Sequence, residues 1–174
     1  MRTALVSVVV PVFDGLAYLP QTVDSVLAQD HPAVELVLVD GGSTDGSLEW
    51  IRSLDHPRLV VDALAPGTPA ARTWTRASEL ATGEYVKVLC QDDLIHSTTL
   101  RVQAADLDAN PTAGMAIGQR DVISASGRVI SRARGCAGLR AGLVDGVHAL
   151  EVGARQGANV FGEPLAVLFR RTAM

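Results

Sequence analysis

Residues 5–12 read LVSVVVPV and residues 34–39 read VELVLV, two β-branched runs that are almost continuously apolar. A strand with one face in water alternates apolar and polar residues; these do not, so they are expected to be covered on both faces, as in a parallel sheet. Pro11 has no N–H for a ladder and is expected to end the first strand. Phe13-Asp14-Gly15 makes a turn, and a helix follows from about Pro20 through Val23, Val26 and Leu27 until Asp30-His31-Pro32 stops it. The second strand runs into Asp40-Gly41-Gly42-Ser43-Thr44-Asp45-Gly46, rich in residues that bend chains and cap helices, and then into a helix around Ser47–Leu54.

Outward from these two units the alternation continues. Arg58–Leu64 reads as a shorter third strand. Thr68 before Pro69 reads as an N-cap and first helical residue, Ala70, Trp74, Ala77 and Ala81 recur at helical spacing, and Gly83 ends that helix. Glu84–Leu89 (EYVKVL) is the fourth strand, closed by Cys90-Gln91-Asp92-Asp93, and a helix follows from about Thr98 to Asn110. Four strand-then-helix units predict an α/β, doubly wound, mainly parallel sheet flanked by helices with right-handed crossovers. After residue 110 the pattern loosens: Gly114–Arg120, Asp121–Ser124 and Val129–Ser131 read as short strands, Val144–Ala154 as a helix and Leu165–Arg170 as a last strand. Residues 1–110 and 111–174 are therefore expected to be two portions of one domain.

Composition narrows the function classes. The chain has 174 residues, 48% hydrophobic and 20% charged, with net charge −4, a globular composition without the basic stripe of a nucleic-acid binder. The one basic concentration, Arg128, Arg132, Arg134 and Arg140, lies in a Gly- and Ser-rich stretch; a solvated loop is its first reading, an anionic acceptor or membrane surface its second. Cys90 and Cys136 make neither a disulfide framework nor a zinc spacing. No leader-like or bilayer-length apolar run occurs, so the expected setting is the cytoplasm, including the inner face of the membrane.

In an open α/β sheet, ligands sit outside the carboxyl ends of the strands, where the strand order switches. Pro11–Asp14, Asp40–Asp45 and Gln91–Asp93 all open onto that edge, which collects Asp14, Asp40, Asp45, Asp92 and Asp93. Carboxylates gathered this way repel one another unless a cation or hydrogen-bond donors intervene. Adjacent Asp92 and Asp93 suit a hard divalent cation, Mg2+ or Mn2+; alternatively they are N-terminal carboxylates for the helix from Thr98. Neither a Gly-x-Gly-x-x-Gly after the first strand nor a P-loop is present, so a bound nucleotide needs another way to hold its phosphates, and a bridging metal is the natural substitute.

The chain resembles the family-2 glycosyltransferases of the GT-A fold. Four passages carry the resemblance in order: VSVVVPVFDG with YLPQTVDSVLAQ, LVLVDGGSTDGS, PGTPAARTWTRASELATGEYVKVLCQDD, and GEPLAVLFRR. It implies a Rossmann-like nucleotide-sugar-binding fold, with residues 1–110 as the nucleotide-binding portion and 111–174 as the start of the acceptor side, which is either cut short at its C-terminal end or that of an unusually short member. It implies that Pro11, Val12, Phe13 and Asp14 surround the base, with Phe13 stacking on it; Phe13 read alone is a core aromatic. Asp40 accepts from the base imide N–H of uracil or thymine, or is simply an Asx turn. Arg72 reaches base or diphosphate, Asp92 the ribose, and Asp93 ligates the Mn2+ or Mg2+. Many relatives carry a further Asp where this chain has Cys90.

The implied reaction moves sugar from a UDP- or dTDP-sugar to an acceptor hydroxyl on a carbohydrate or lipid-linked molecule, with inversion. Glu163 matches where some relatives place the catalytic base; it reads equally as a loop carboxylate before Pro164. A role in polysaccharide biosynthesis and peripheral membrane association are family-level expectations. The main alternative is a non-catalytic or truncated nucleotide-sugar-binding module. A nucleotidyltransferase lacks its Gly-rich basic loop here, and a phosphoacceptor receiver lacks its late lysine.

Overall fold

The computed structural model describes residues 3–174. Strands β1 (Val6–Val12), β2 (Val34–Asp40), β3 (Leu59–Ala63) and β4 (Tyr85–Val88) alternate with helices α1 (Leu19–Leu27), α2 (Ser47–Ser53), α3 (Ala70–Glu79) and α4 (Thr99–Ala109). The remainder comprises β5 (Met115–Ile117), β6 (Arg120–Ile123), β7 (Val129–Arg134), α5 (Gly146–Gln156), a 3-10 turn Pro164–Ala166, β8 (Val167–Arg170) and a 3-10 turn Arg171–Ala173. The main sheet has the order β3-β2-β1-β4-β8-β5; its first four strands are parallel, and β8 runs antiparallel between β4 and β5. This is the mixed α/β, mainly parallel architecture expected from the chain.

Every residue of β1 is buried because the sheet is covered twice. Val6, Val8, Val10 and Val12, with Leu36 and Leu38, meet Leu19, Val23 and Val26 of α1 and Leu100, Ala104 and Leu107 of α4. The opposite parity, Val9, Val37, Val39 and Val86, meets Ala77 of α3 and Ala81 beyond it. Both α1 and α4 bury residues at i, i+3, i+4 and i+7, the stripe that seats a helix on a sheet.

Pro11 lies inside β1 rather than ending it, opposite Val39. The main-chain carbonyls of Leu5 and Val9 face β4, whereas that of Val12 faces β2. Pro11 shares the parity of Val9, so its missing N–H falls on the β4 side, past the last ladder pair at Val88. Helix α3 starts one residue later than its sequence signals: Pro69 is the N-cap, and the Thr68 hydroxyl instead donates to the Ala65 carbonyl. β6 and β7 form a separate two-stranded sheet, and β7 extends to Arg134, so Arg132 and Arg134 stand on a strand rather than a loop.

Candidate functional site

The chain runs outward from β1 to β2 to β3, then returns to place β4 on the other side of β1, so the strand order switches between β1 and β4. A cavity of about 340 Å3 opens at that point, lined by Pro11, Val12 and Phe13 beyond β1, Cys90, Gln91 and Asp92 beyond β4, and Thr68, Ala70, Thr73 and Trp74 at the start of α3. Phe13 is 56% exposed and Trp74 38% exposed. Neither is a core aromatic; both present ring surface at the cavity.

The loop after β1 is held on two sides. The Phe13 N–H donates to Gln91 Oε1 (2.7 Å) and Gln91 Nε2 donates to the Phe13 carbonyl (2.9 Å), an amide pairing that locks one strand end to the other. Gly15 lets this happen: a Cβ there would lie 2.5 Å from the Gln91 side chain. On the other side the Asp14 carboxylate accepts from the Thr44 N–H (2.7 Å), the Asp14 N–H donates to Ser43, and the Gly15 N–H donates to Ser47. Asp45 accepts from the N–H groups of Leu16 and Ser47 and from the Ser47 hydroxyl, which leads the effects holding its carboxyl below the usual range.

Asp40 is fully buried at the end of β2, opposite cavity-lining Val12. Its Oδ1 accepts from the N–H groups of Gly42 and Ser43, as an Asx turn does. Its Oδ2 is buried with no partner among the described residues, and a buried carboxylate oxygen in that state has one strong acceptor position to offer. The expected crowding of five carboxylates is thus relieved for three of them by backbone and hydroxyl donors, which leaves Asp92 and Asp93.

Burial, and then the neighbouring charge of Asp92, push the Asp93 carboxyl above its usual range. Ligand atoms of Cys90, Asp92 and Asp93 lie within 4.8 Å of one another. Helix α4 starts at Thr99, so neither aspartate serves its first turn. Burial first, and then Asp93 and Asp92, push the Cys90 thiol up to about 12; the candidate donor set is two carboxylates and one thiol, with no histidine among them. That set fits a hard cation taking oxygen ligands, not zinc.

Other expected residues fall elsewhere. Arg72 does not line the cavity; it is exposed and reaches along α3 to Glu79 (3.4 Å). The α3 residues at the cavity are Ala70, Thr73 and Trp74, so the stripe read through Ala70 and Trp74 divides, with the buried face carried by Thr73 and Ala77. Glu163 caps the Pro164–Ala166 turn, and both its carboxylate oxygens are engaged by Arg120 of β6. Arg120 also lowers the Asp93 carboxyl, so one guanidinium joins the field of the aspartate pair to Glu163. Sequence reasoning passed over Gln91 and Arg120. Gln91 stood inside the motif without a role, and nothing around Arg120 marked it apart from the exposed arginines that follow.

The match to known proteins covers nearly all of this. The family model described as glycosyl transferase family 2 matches residues 7–171. The chain belongs to that family. An uncharacterized glycosyltransferase of Haemophilus influenzae is 36% identical over 107 residues, 59% of this chain and 42% of that protein. A putative teichuronic acid biosynthesis glycosyltransferase of Bacillus subtilis is 38% identical over 91 residues, 51% of this chain and 36% of that protein. Among solved structures, S. aureus TarS 1-349 in complex with UDP-GlcNAc aligns over 97% of this chain and 46% of its own with a TM-score of 0.68 at 24% identity, a likeness of fold. A Pyrobaculum calidifontis mannosyltransferase in complex with GDP-Man and Mn2+ aligns over 69% of this chain and 37% of its own at 28% identity, TM-score 0.56. The chain spans less than half the length of these relatives. None of its described helices is long and apolar enough to cross a membrane.

Proposed function

We propose that this chain forms the donor-binding side of an inverting glycosyltransferase that takes a UDP- or dTDP-sugar and a divalent metal. The observation that carries the reading is the cavity at the β1/β4 switch, with Phe13 and Trp74 at it and the Asp92–Asp93 pair at the same strand end. A nucleoside base sits against the aromatic faces, and the partnerless Oδ2 of Asp40 accepts the imide N–H that uracil and thymine share. Asp92 meets the ribose. Asp93, with Asp92 beside it, holds Mn2+ or Mg2+, which when bound offsets the charge on the departing diphosphate. The Mn2+ bound by the mannosyltransferase supports the metal, and the choice of a uracil or thymine base rests on the open oxygen of Asp40.

For transfer, the acceptor oxygen forms a bond to the anomeric carbon as that carbon's bond to the diphosphate oxygen breaks, and the acceptor proton passes to a carboxylate. Glu163 is the proposed carboxylate. It starts in the grip of Arg120, so its turn as base requires that ion pair to loosen when acceptor arrives. The acceptor is a carbohydrate or lipid-linked hydroxyl, and polysaccharide assembly at the cytoplasmic face of a membrane is the setting that suits it. Donor binding without transfer is the second reading, because the chain spans under half the length of its relatives.

The deciding experiment follows thermal unfolding with UDP, dTDP, GDP and ADP, each with and without Mn2+. UDP or dTDP at a hundred times its dissociation constant, with metal, adds about 2.7 kcal/mol, and Asp93→Ala removes the effect. Failure of every nucleotide to shift the transition overturns the reading. Transfer by a longer chain but not by this one selects the binding-module alternative.

A further inference from the structure

Between Tyr85 and Leu89, on the face of β4 turned to α1 and α4, the core contains a lysine. Lys87 is 0% exposed. Its Nζ donates to Gln103 Oε1 of α4 (2.9 Å) and to the Val167 carbonyl at the start of β8 (3.1 Å), both neutral acceptors. Gln103, 6% exposed, in turn donates through Nε2 to the Ala166 carbonyl (2.8 Å). An ammonium buried without a carboxylate is costly, far more so than the Leu or Val that would fit this position on a strand. Burial alone draws its pKa down to about 7.

What the two side chains hold explains their place. The antiparallel ladder between β4 and β8 consists of Tyr85 with Arg170 and Val86 with Phe169. Beyond it the chain leaves β8 backwards into the Pro164–Ala166 turn that Glu163 caps, and there the strands no longer pair. Lys87 and Gln103 take over where the ladder ends, capturing the carbonyls of Val167 and Ala166. The Ala166 carbonyl also accepts from the Gly118 N–H, and the Ala166 N–H donates to the Glu163 carbonyl. Gly118 lies two residues before Arg120, whose guanidinium grips the Glu163 carboxylate. In the other direction β4 leads from Lys87 to Cys90–Asp93.

We infer that Lys87 and Gln103 are positioning residues: a buried polar clamp that sets the Glu163 turn, and with it the Arg120–Glu163 pair, against the strand that delivers the aspartate pair. The inference rests on the proposed role of Glu163 for its functional consequence, whereas the clamp itself is testable without it.

The test compares wild type, Lys87→Met, Gln103→Leu and the double variant Lys87→Met, Gln103→Met, the last replacing the whole buried polar pair with apolar volume so that a folded protein remains available. Amide hydrogen exchange is followed at Gly118 and Ala166, with Val9 and Val37 of the central strands as internal reference. The clamp predicts at least tenfold faster exchange at Gly118 and Ala166 with the reference amides unchanged; equal rates at all four, or no change anywhere, overturns it. In the same proteins UDP with Mn2+ must shift the unfolding of wild type and variants alike, and kcat for transfer from a UDP-sugar falls about tenfold with KM for that donor unchanged. A wild type that ignores UDP refutes the donor reading and leaves the exchange result to judge the clamp. Variants with altered exchange but wild-type kcat overturn the link to Glu163.

Discussion

The two portions of the chain are held together by different physics. Up to residue 110, β1 and most of β2 lie entirely inside, and helices cover both faces of the sheet. From residue 111 onward the buried apolar residues shrink to Ala116, Ala149, Val160, Ala166, Val167 and Leu168, while Ile130, Leu143, Val147 and Leu150 are each more than 60% exposed. The first portion is fixed by apolar area removed from water. In the second, only β5 and β8 join the main sheet, through Ala116, Val167 and Leu168. β6, β7 and their loops bury little, carry exposed ion pairs such as Arg132 with Asp121, worth little each, and include left-handed residues at Ala133 and Cys136. The cavity at the β1/β4 switch is framed by the well-buried portion, and the portion after residue 110, with fewer buried apolar residues, is expected to be the more pliable.

The comparison has a seam at Lys87, and the largest effect is expected there. With a folded pKa near 7 against 10.5 for the free group, Lys87 is charged in both states below pH 7 but neutral only in the folded state between 7 and 10.5. The unfolded chain then binds more protons, so stability rises as pH climbs through that window and is lost as it falls back, on the order of 5 kcal/mol in all. Urea unfolding of wild type minus that of Lys87→Met isolates this term from Cys90 and Tyr85, both held at about 12. A flat difference curve would mean that the seam is as wet as the second portion.

Within the frame, Leu38→Ala removes a side chain with no exposure from the core that α1, α2 and α4 cover. About 3 kcal/mol of stability should go with it in chemical denaturation. Gln91→Ala cuts both hydrogen bonds that pin Phe13 and should cost about 1–2 kcal/mol; its sharper signature is weaker binding of UDP with Mn2+, since the Phe13 ring loses its mooring. The smallest change belongs to the pliable portion: Ile130→Ser, at 64% exposure, should move stability by under about 0.5 kcal/mol. Equal losses for Leu38→Ala and Ile130→Ser would erase the contrast between the portions.

How much of this could be read from the chain follows the same division. Unbroken apolar runs such as LVSVVVPV can only be satisfied by cover on both faces, so the sheet, its four βα units and the edge where ligands gather were legible residue by residue. Up to residue 110 most boundaries fall within a residue or two; the exception is α3, which stops at Glu79, so Ala81 and Gly83 lie beyond the helix they were expected to close. Past residue 110 the short strands carry little apolar pattern, and β7 reached farther, to Arg134, than its composition indicated.

The site divides likewise. That carboxylates meet at the carboxyl ends of β1, β2 and β4 follows from sequence order plus topology, because strand ends of a parallel sheet share one edge. Which of them are free does not follow. Asp14 and Asp45 are satisfied by donors from the neighbouring loop, Asp40 keeps one buried oxygen without a partner, and Arg72 turns to Glu79 while Trp74 takes the cavity. For Asp14 and Asp45 the deciding partners, Thr44 and Leu16, lie about 30 residues away, and for Gln91 with Phe13 and Lys87 with Val167 they lie 78 and 80 residues away. Periodicity and turn chemistry are local and so were written in the chain; hydrogen bonding and desolvation act at contact distance in space, and only the packed fold decides which groups arrive there.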